Sequence, residues 1–73
     1  MLNMKDVYMK IAIGADHKGF FLKEKLKVFL KQLGHEVTDF GTDSETSADY
    51  PDYGMRVAHS VANRETDRGI TVC

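Results

Sequence analysis

The sequence predicts an α/β fold in which two helices cover a parallel three-stranded sheet. Three observations support this prediction: short apolar runs alternate with two amphipathic stretches, the connections are long enough for helical crossovers, and glycines stand at element ends. A chain of 73 residues, 42% of them hydrophobic, forms one small domain at most. The predicted order β-α-β-α-β is half of a three-layer, doubly wound parallel sheet.

The first strand and the first helix are predicted between residues 10 and 33. Residues 10–14 form a short apolar run that is typical of a buried parallel strand. Residues 19–33 have helical spacing, with one apolar face and lysines mostly on the other faces. The apolar residues are Leu22, Leu26, Phe29, Leu30 and Leu33, and the lysines are Lys23, Lys25, Lys27 and Lys31. Gly34 stands where a left-handed C-terminal cap is expected.

The rest of the chain predicts a strand, a helix and a final strand. Residues 36–40 form the second strand, and residues 41–49 form a polar loop. Pro51 suits the first turn of the second helix. The apolar face of this helix consists of Tyr53, Val57 and Val61, widened by Ala58 and Ala62. Residues 63–67 are a polar connection, and residues 69–73 are the third strand.

Composition and charge argue against several classes of function. Ten Lys+Arg against eleven Asp+Glu give a net charge of −1, which provides no overall attraction to nucleic acid or to an anionic membrane. The apolar runs are far too short for a membrane span. One cysteine, no visible metal-ligand cluster and no apparent export signal favour a metal-free protein of the reducing cytoplasm. Such a small core is marginally stable alone, so we expect a homo-oligomer, a dimer or a tetramer.

Ligands of open α/β sheets bind beyond the carboxyl ends of the strands, so we take the candidate site residues from the segments that follow the predicted strands. Asp16 and His17 lie between the first strand and the first helix, whose N-terminus favours anions. There His17 could assist a sugar phosphate, and Asp16 could accept from sugar hydroxyls or could simply cap the helix. Cys73, at the end of the third strand, is either a nucleophile or base, or a small buried residue. Tyr50 either reaches the first loop or marks the start of the second helix.

The two remaining histidines are interpreted as structural or surface residues. His35 follows the predicted helix cap, and His59 lies on the second predicted helix. Neither has a partner at the spacing of a metal site.

Five segments, taken in order, carry a resemblance to a known family. They are residues 10–20 (KIAIGADHKGF), 33–37 (LGHEV), 39–42 (DFGT), 49–53 (DYPDY) and 67–70 (DRGI). Together they resemble the ribose-5-phosphate isomerase B family, which includes the galactose-6-phosphate isomerase subunits. The resemblance implies a Rossmann-like or flavodoxin-like fold. It runs over residues 9–73, which it implies are the N-terminal part of a sugar-phosphate isomerase domain. Residues 1–8 have no clear pattern and, with methionines at positions 1, 4 and 9, are interpreted as an N-terminal extension.

The resemblance implies a cofactor-free aldose–ketose isomerase of the pentose phosphate pathway. Family members interconvert ribose 5-phosphate and ribulose 5-phosphate through an enediolate. By this resemblance, Cys73 matches the proton-transferring cysteine, Asp16 a sugar-binding carboxylate, and His17 a residue near the sugar ring and phosphate. Tyr50 would line the same site.

The sequence departs from the family pattern after Cys73. In the family, a Gly-Thr-Gly-x-Gly loop follows that cysteine, and a histidine, an asparagine and phosphate-binding arginines come later. We therefore expect activity only of a complete chain, and the 73 residues alone to be inactive. The alternative is a truncated, non-catalytic α/β fragment that acts through subunit pairing. A signalling or phosphatase domain is disfavoured, because Asp16 and His17 stand where a phosphatase would carry its cysteine loop.

Overall fold

The computed structural model describes residues 8–41 and 52–73. Three strands and two α-helices follow one another in the predicted order. They are β1 (Lys10–Ala15), α1 (Phe20–Gln32), β2 (Glu36–Asp39), α2 (Asp52–Ala62) and β3 (Arg68–Val72), with a short 3-10 turn (His17–Gly19) before α1. The predicted α/β class and the predicted order of elements are confirmed, with each strand end within one or two residues of its expected position.

The three strands form one parallel sheet in the order β2-β1-β3. Ile13 lies opposite Asp39 of β2 on one side and opposite Ile70 of β3 on the other. The chain passes from β1 to β2 in one direction and from β2 back across β1 to β3 in the other, so right-handed crossovers put α1 and α2 on opposite faces of the sheet. The result is the three-layer arrangement that the sequence predicts.

The central strand β1 forms the core because helices cover both of its faces. Residues 11–15 are all buried, as a continuous apolar run predicts for a parallel strand. Val57 of α2 is also buried and packs close to glycines of two strands. A Cβ atom at Gly14 would lie 3.2 Å from Val57 Cγ2, and one at Gly69 would lie 2.5 Å from Val57 Cγ1. The two glycines therefore let α2 approach the sheet closely.

Helix α1 ends as its sequence predicts, but its exposed side does not follow the prediction. Gly34 has a φ of 95° in the left-handed region, which suits a glycine cap. Large apolar side chains expected on the inner face are instead exposed to solvent. They are Leu22, Phe29 and Leu33, and Phe21 and Val28 are exposed beside them. Leu26 and Leu30 of the predicted face are half-buried, so the prediction of the inner face is wrong for Leu22, Phe29 and Leu33 only.

The placement of the helix lysines on outer faces is wrong for Lys23. Its side chain has no exposed surface, because a carboxylate at the end of β2 pairs with its ammonium group. The proposed widening of the α2 apolar face is also wrong, since Ala58 and Ala62 are both exposed. Val57 and Ser60, beside and between these two positions, are buried, so the buried side of α2 is narrower than predicted.

The described residues provide neither a membrane span nor a metal cluster. No helix within residues 8–41 and 52–73 is both long and apolar enough to cross a membrane. Within the same residues, no three side chains of His, Cys, Asp or Glu are arranged to hold a metal ion.

Candidate active site

The carboxyl ends of all three strands meet at one edge of the sheet, where backbone hydrogen bonds join them. Ala15 N–H, at the end of β1, donates to Gly41 O just beyond β2 at 2.8 Å. Asp16 N–H donates to Val72 O, the last residue of β3, at 3.2 Å. These two bonds place Asp16 directly beside the residue that precedes Cys73. The topology therefore brings two of the sequence-predicted site residues to the same edge.

Asp16 adopts the capping geometry that the sequence left open as one of its two roles. Its backbone is extended, and its Oδ1 accepts the backbone N–H of Gly19 at 2.8 Å. Such a cap satisfies one donor at the start of a helical turn. The cap fixes the orientation of the carboxylate at the sheet edge. Capping is therefore compatible with a site role for Asp16.

Gly19 holds the turn against β3 because it has no side chain. A Cβ atom at this position would lie 2.7 Å from Val72 O and 2.9 Å from Val72 Cγ1. Distances below 3.0 Å require something to shift, and here the nearest atom belongs to backbone. The glycine thus allows the turn that carries Asp16 and His17 to lie directly against the end of β3.

The other predicted residues of this edge differ in exposure. His17 is half-buried in the 3-10 turn, and Lys18 beside it is exposed. Cys73 is a free, exposed thiol. Tyr50 lies outside the described residues.

Tyr53 lies at this edge, although the sequence interpretation assigned it only to the apolar face of α2. Its ring packs on β1, where a Cβ atom at Gly14 would lie 3.1 Å from Tyr53 Cδ1. Partial burial raises the pKa of the Tyr53 hydroxyl, and the negative charges of Asp16 and Cys73 raise it further. The paired tyrosines of the DYPDY segment were the available signal, but spacing alone does not say which of them faces the strand ends.

The two histidines interpreted as structural or surface residues behave accordingly. His35 Nδ1 accepts the backbone N–H of Met9 at 3.1 Å, at the opposite, amino edge of the sheet. His59 is exposed on α2.

A second charged group lies next to the candidate site, at the end of β2. The Asp39 carboxylate accepts hydrogen bonds from Lys23 Nζ at 2.8 and 3.0 Å, from Lys27 Nζ at 2.7 Å and from Gly41 N–H at 2.9 Å. Burial opposes ionisation of Asp39, but these donors outweigh it and hold the pKa of the carboxyl below its ordinary value. The hydrogen bond to Asp39 also raises the pKa of Lys27.

This edge therefore combines a carboxylate, an imidazole, a thiol and a phenol around the ends of parallel strands. The thiolate form of a cysteine can act as a base or nucleophile. A carboxylate and an imidazole can bind hydroxyl groups and move protons. The chemistry available is that of proton transfer on a small polar substrate.

Comparison with known proteins identifies the family. The model of the Ribose/Galactose Isomerase family matches residues 11–73. The chain belongs to this family. It is 48% identical over 64 residues to ribose-5-phosphate isomerase B of Escherichia coli K12, covering 88% of this chain and 43% of that protein. It is 40% identical over 65 residues to galactose-6-phosphate isomerase subunit LacB of Clostridium acetobutylicum, covering 89% of this chain and 38% of that protein.

Solved structures of the family have the same fold as this chain. The structure of Clostridium thermocellum ribose-5-phosphate isomerase B superimposes with a TM-score of 0.86 and 54% identity, covering 89% of this chain and 44% of that chain. A ribose 5-phosphate isomerase from Thermotoga maritima gives a TM-score of 0.85 and 52% identity. The chain thus spans less than half the length of the relatives that it matches.

Proposed function

We propose that these residues form the N-terminal part of a sugar-phosphate isomerase that interconverts ribose 5-phosphate and ribulose 5-phosphate. Family membership over residues 11–73 carries this proposal. The meeting of Asp16 and Cys73 at the carboxyl edge supports it, because the reaction needs a sugar-binding group beside a proton-transferring one. The reaction is a step of the pentose phosphate pathway, and a cytoplasmic location goes with that role.

The proposed reaction moves one proton between neighbouring carbons. A base removes the C2 proton of ribose 5-phosphate, and an enediolate forms. The same group then returns a proton to C1, while the hydroxyl proton passes from O2 to O1, which gives ribulose 5-phosphate. We assign this base to Cys73, which directly follows β3 at the carboxyl edge, next to the residue that accepts the Asp16 N–H. No electrons leave the substrate, so this step requires no redox cofactor.

The remaining site residues are proposed to bind the substrate. Asp16 would accept hydrogen bonds from sugar hydroxyls through its carboxylate, which the cap to Gly19 orients. His17 would lie near the ring and the phosphate, since it occupies the turn that leads into α1. Tyr50 would line the same site. Relatives include named isomerases of ribose and of galactose phosphates, so the activity assay compares both sugars.

The proposed protein is a homo-oligomer, with residues 1–8 as an extension outside the isomerase domain. Two relatives are named as subunits of galactose-6-phosphate isomerase. The exposed apolar side chains of α1 also favour further packing partners. Sedimentation at several protein concentrations tests this part of the proposal.

A chimera tests the proposed activity. Residues 11–73 of this chain would replace the matching segment of Clostridium thermocellum ribose-5-phosphate isomerase B; this protein is called the chimera below. We expect it to convert ribose 5-phosphate with a higher kcat/KM than allose 6-phosphate or galactose 6-phosphate. A folded chimera without turnover on ribose 5-phosphate, beside an active parent enzyme, would contradict the proposal. A preference for galactose 6-phosphate would reassign the substrate.

A further inference from the structure

Asp39 lies next to the candidate site and links helix α1, which follows the Asp16–His17 turn, to the segment that follows β2. Its carboxylate lies at the end of β2 and has partners on two different elements. Lys23 and Lys27 reach it from α1, and Gly41 N–H reaches it from the segment that follows β2. One carboxylate therefore ties the first half of α1 to the end of β2.

The α1 side of this connection is rigid because Lys23 is completely buried. Its Nζ lies 2.8 Å from Asp39 Oδ2 and 5.2 Å from the centre of the Phe20 ring. A buried ammonium is costly without a carboxylate nearby, and Asp39 gives Lys23 Nζ its two short contacts, at 2.8 and 3.0 Å, so Asp39 helps to hold Lys23 in place. Lys23 lies one turn into the helix that directly continues the turn of Asp16 and His17. Holding Lys23 thus holds the start of α1.

On the β2 side, backbone hydrogen bonds connect Asp39 to the edge of the sheet where the carboxyl ends of the strands meet. Gly41 has a φ of 120°, and its N–H donates to Asp39 Oδ1 at 2.9 Å. Its carbonyl accepts Ala15 N–H at 2.8 Å, and the next residue, Asp16, donates to Val72 O at 3.2 Å. A displacement of Gly41 therefore shifts the backbone that carries Asp16.

Glu24 pairs with the same two lysines as Asp39, but it does not link them to β2. Its carboxylate also pairs with Lys23 at 3.2 Å and with Lys27 at 3.0 Å. Its side chain is 41% exposed, however, and it lies on α1 itself. Its pairs with the two lysines stay within α1, whereas Asp39 joins α1 to the end of β2.

We propose that Asp39 is a positioning residue that holds the Asp16–His17 turn and the Gly41 segment in register at the candidate active site. Its role in catalysis rests on the proposed isomerase function, whereas its effect on the sheet edge does not. Asp39→Asn keeps the size of the side chain but loses the charge that holds two ammonium groups. Glu24→Gln is the matched control, because it removes a carboxylate from the same lysines and keeps the link to β2.

Amide hydrogen exchange on the 73-residue chain measures the effect on the sheet edge. We expect Asp39→Asn to speed exchange at Ala15 and Asp16 by about 10- to 100-fold, the loss of one to two strong hydrogen bonds. The amides of Glu36 and Asp67, which bond at the amino edge, are expected to change much less. Glu24→Gln is expected to leave all four amides within about threefold. A uniform increase at both edges would show that Asp39 is merely structural and would overturn the proposal.

Two further measurements keep the proposal testable. If Asp39→Asn unfolds the chain, the same exchange comparison is made for Lys23→Met/Asp39→Asn, in which no buried ammonium lacks its carboxylate. In the chimera, Asp39→Asn is expected to lower kcat/KM about 10- to 100-fold, whereas Glu24→Gln keeps it within about twofold. Equal effects of the two variants on an active chimera would overturn the positioning role. An inactive chimera with selective exchange at Ala15 and Asp16 would refute the isomerase function and keep the effect on the sheet edge.

Discussion

Replacing Gly19 with alanine would force the Asp16–His17 turn away from the end of β3. The new Cβ atom would lie 2.7 Å from Val72 O, whereas ordinary contact begins at about 3.4 Å. The neighbouring atom is a backbone carbonyl, so it cannot rotate away. Overpacking of this kind costs about 1–3 kcal/mol. For a domain of this size, each kcal/mol lowers Tm by about 4–8 °C.

Thermal unfolding followed by circular dichroism measures this loss, and the amide shift of Asp16 reports the local displacement. Gly54→Ala is the matched control, since a Cβ atom there meets nothing within 4 Å. On helix propensity it is expected to raise stability by up to about 1 kcal/mol. A Gly19→Ala chain as stable as the parent, with an unchanged Asp16 amide, would refute the proposed packing of the turn against β3.

Three further predictions concern a buried hydroxyl pair, acid stability and activity. Ser60 Oγ and Thr66 Oγ1 lie 2.9 Å apart in a buried site, so Thr66→Val should lower the free energy of unfolding by about 1–3 kcal/mol in a urea titration. In the Thr66→Val background, Ser60→Ala should lower the free energy of unfolding by less than it does in the parent chain. Strictly additive losses would contradict the hydrogen bond between the two hydroxyls. The pKa of Asp39 is held low, so its ionised form stabilises the fold above the ordinary carboxyl pKa, and this stability is lost as pH falls through the folded pKa. In urea unfolding at falling pH, the free energy of unfolding of Asp39→Asn should therefore decrease less than that of the parent chain. An equal decrease in both would contradict this assignment to Asp39. The 73-residue chain alone should show no ribose 5-phosphate turnover, because it matches only 43% of the length of the Escherichia coli isomerase; turnover by a sample of verified mass would contradict this.

The order of elements could be predicted because the local signals and the packing agree. The apolar run of β1 is continuous, and the structure buries it on both faces. Gly34 was recognisable as a helix cap because a left-handed φ favours glycine. Asp16 and Cys73 could be placed at one edge, because the ends of parallel strands point the same way.

The charged cluster could not be predicted, because it depends on tertiary contacts. Lysine is usually exposed, and the spacing of Lys23 in α1 gives no sign of a carboxylate at the end of β2. Leu22, Phe29 and Leu33 of α1 were likewise assigned wrongly to the buried face, since the sequence does not give the rotation of a helix about its axis. Tyr53 was placed on the apolar face of α2, and only the structure shows that Asp16 and Cys73 raise the pKa of its hydroxyl.

The most direct test of the account is proton transfer by Cys73 in the chimera. With ribose 5-phosphate in deuterated water, the chimera should form ribulose 5-phosphate that carries solvent deuterium at C1. Cys73→Ser should lower turnover by about 10²–10⁴-fold, the usual contribution of a positioned acid–base group. Thr71→Ser, at an exposed position of the same strand, is the control and should keep turnover. Undiminished turnover and deuterium incorporation in Cys73→Ser would contradict the assignment of the base to this edge of the sheet.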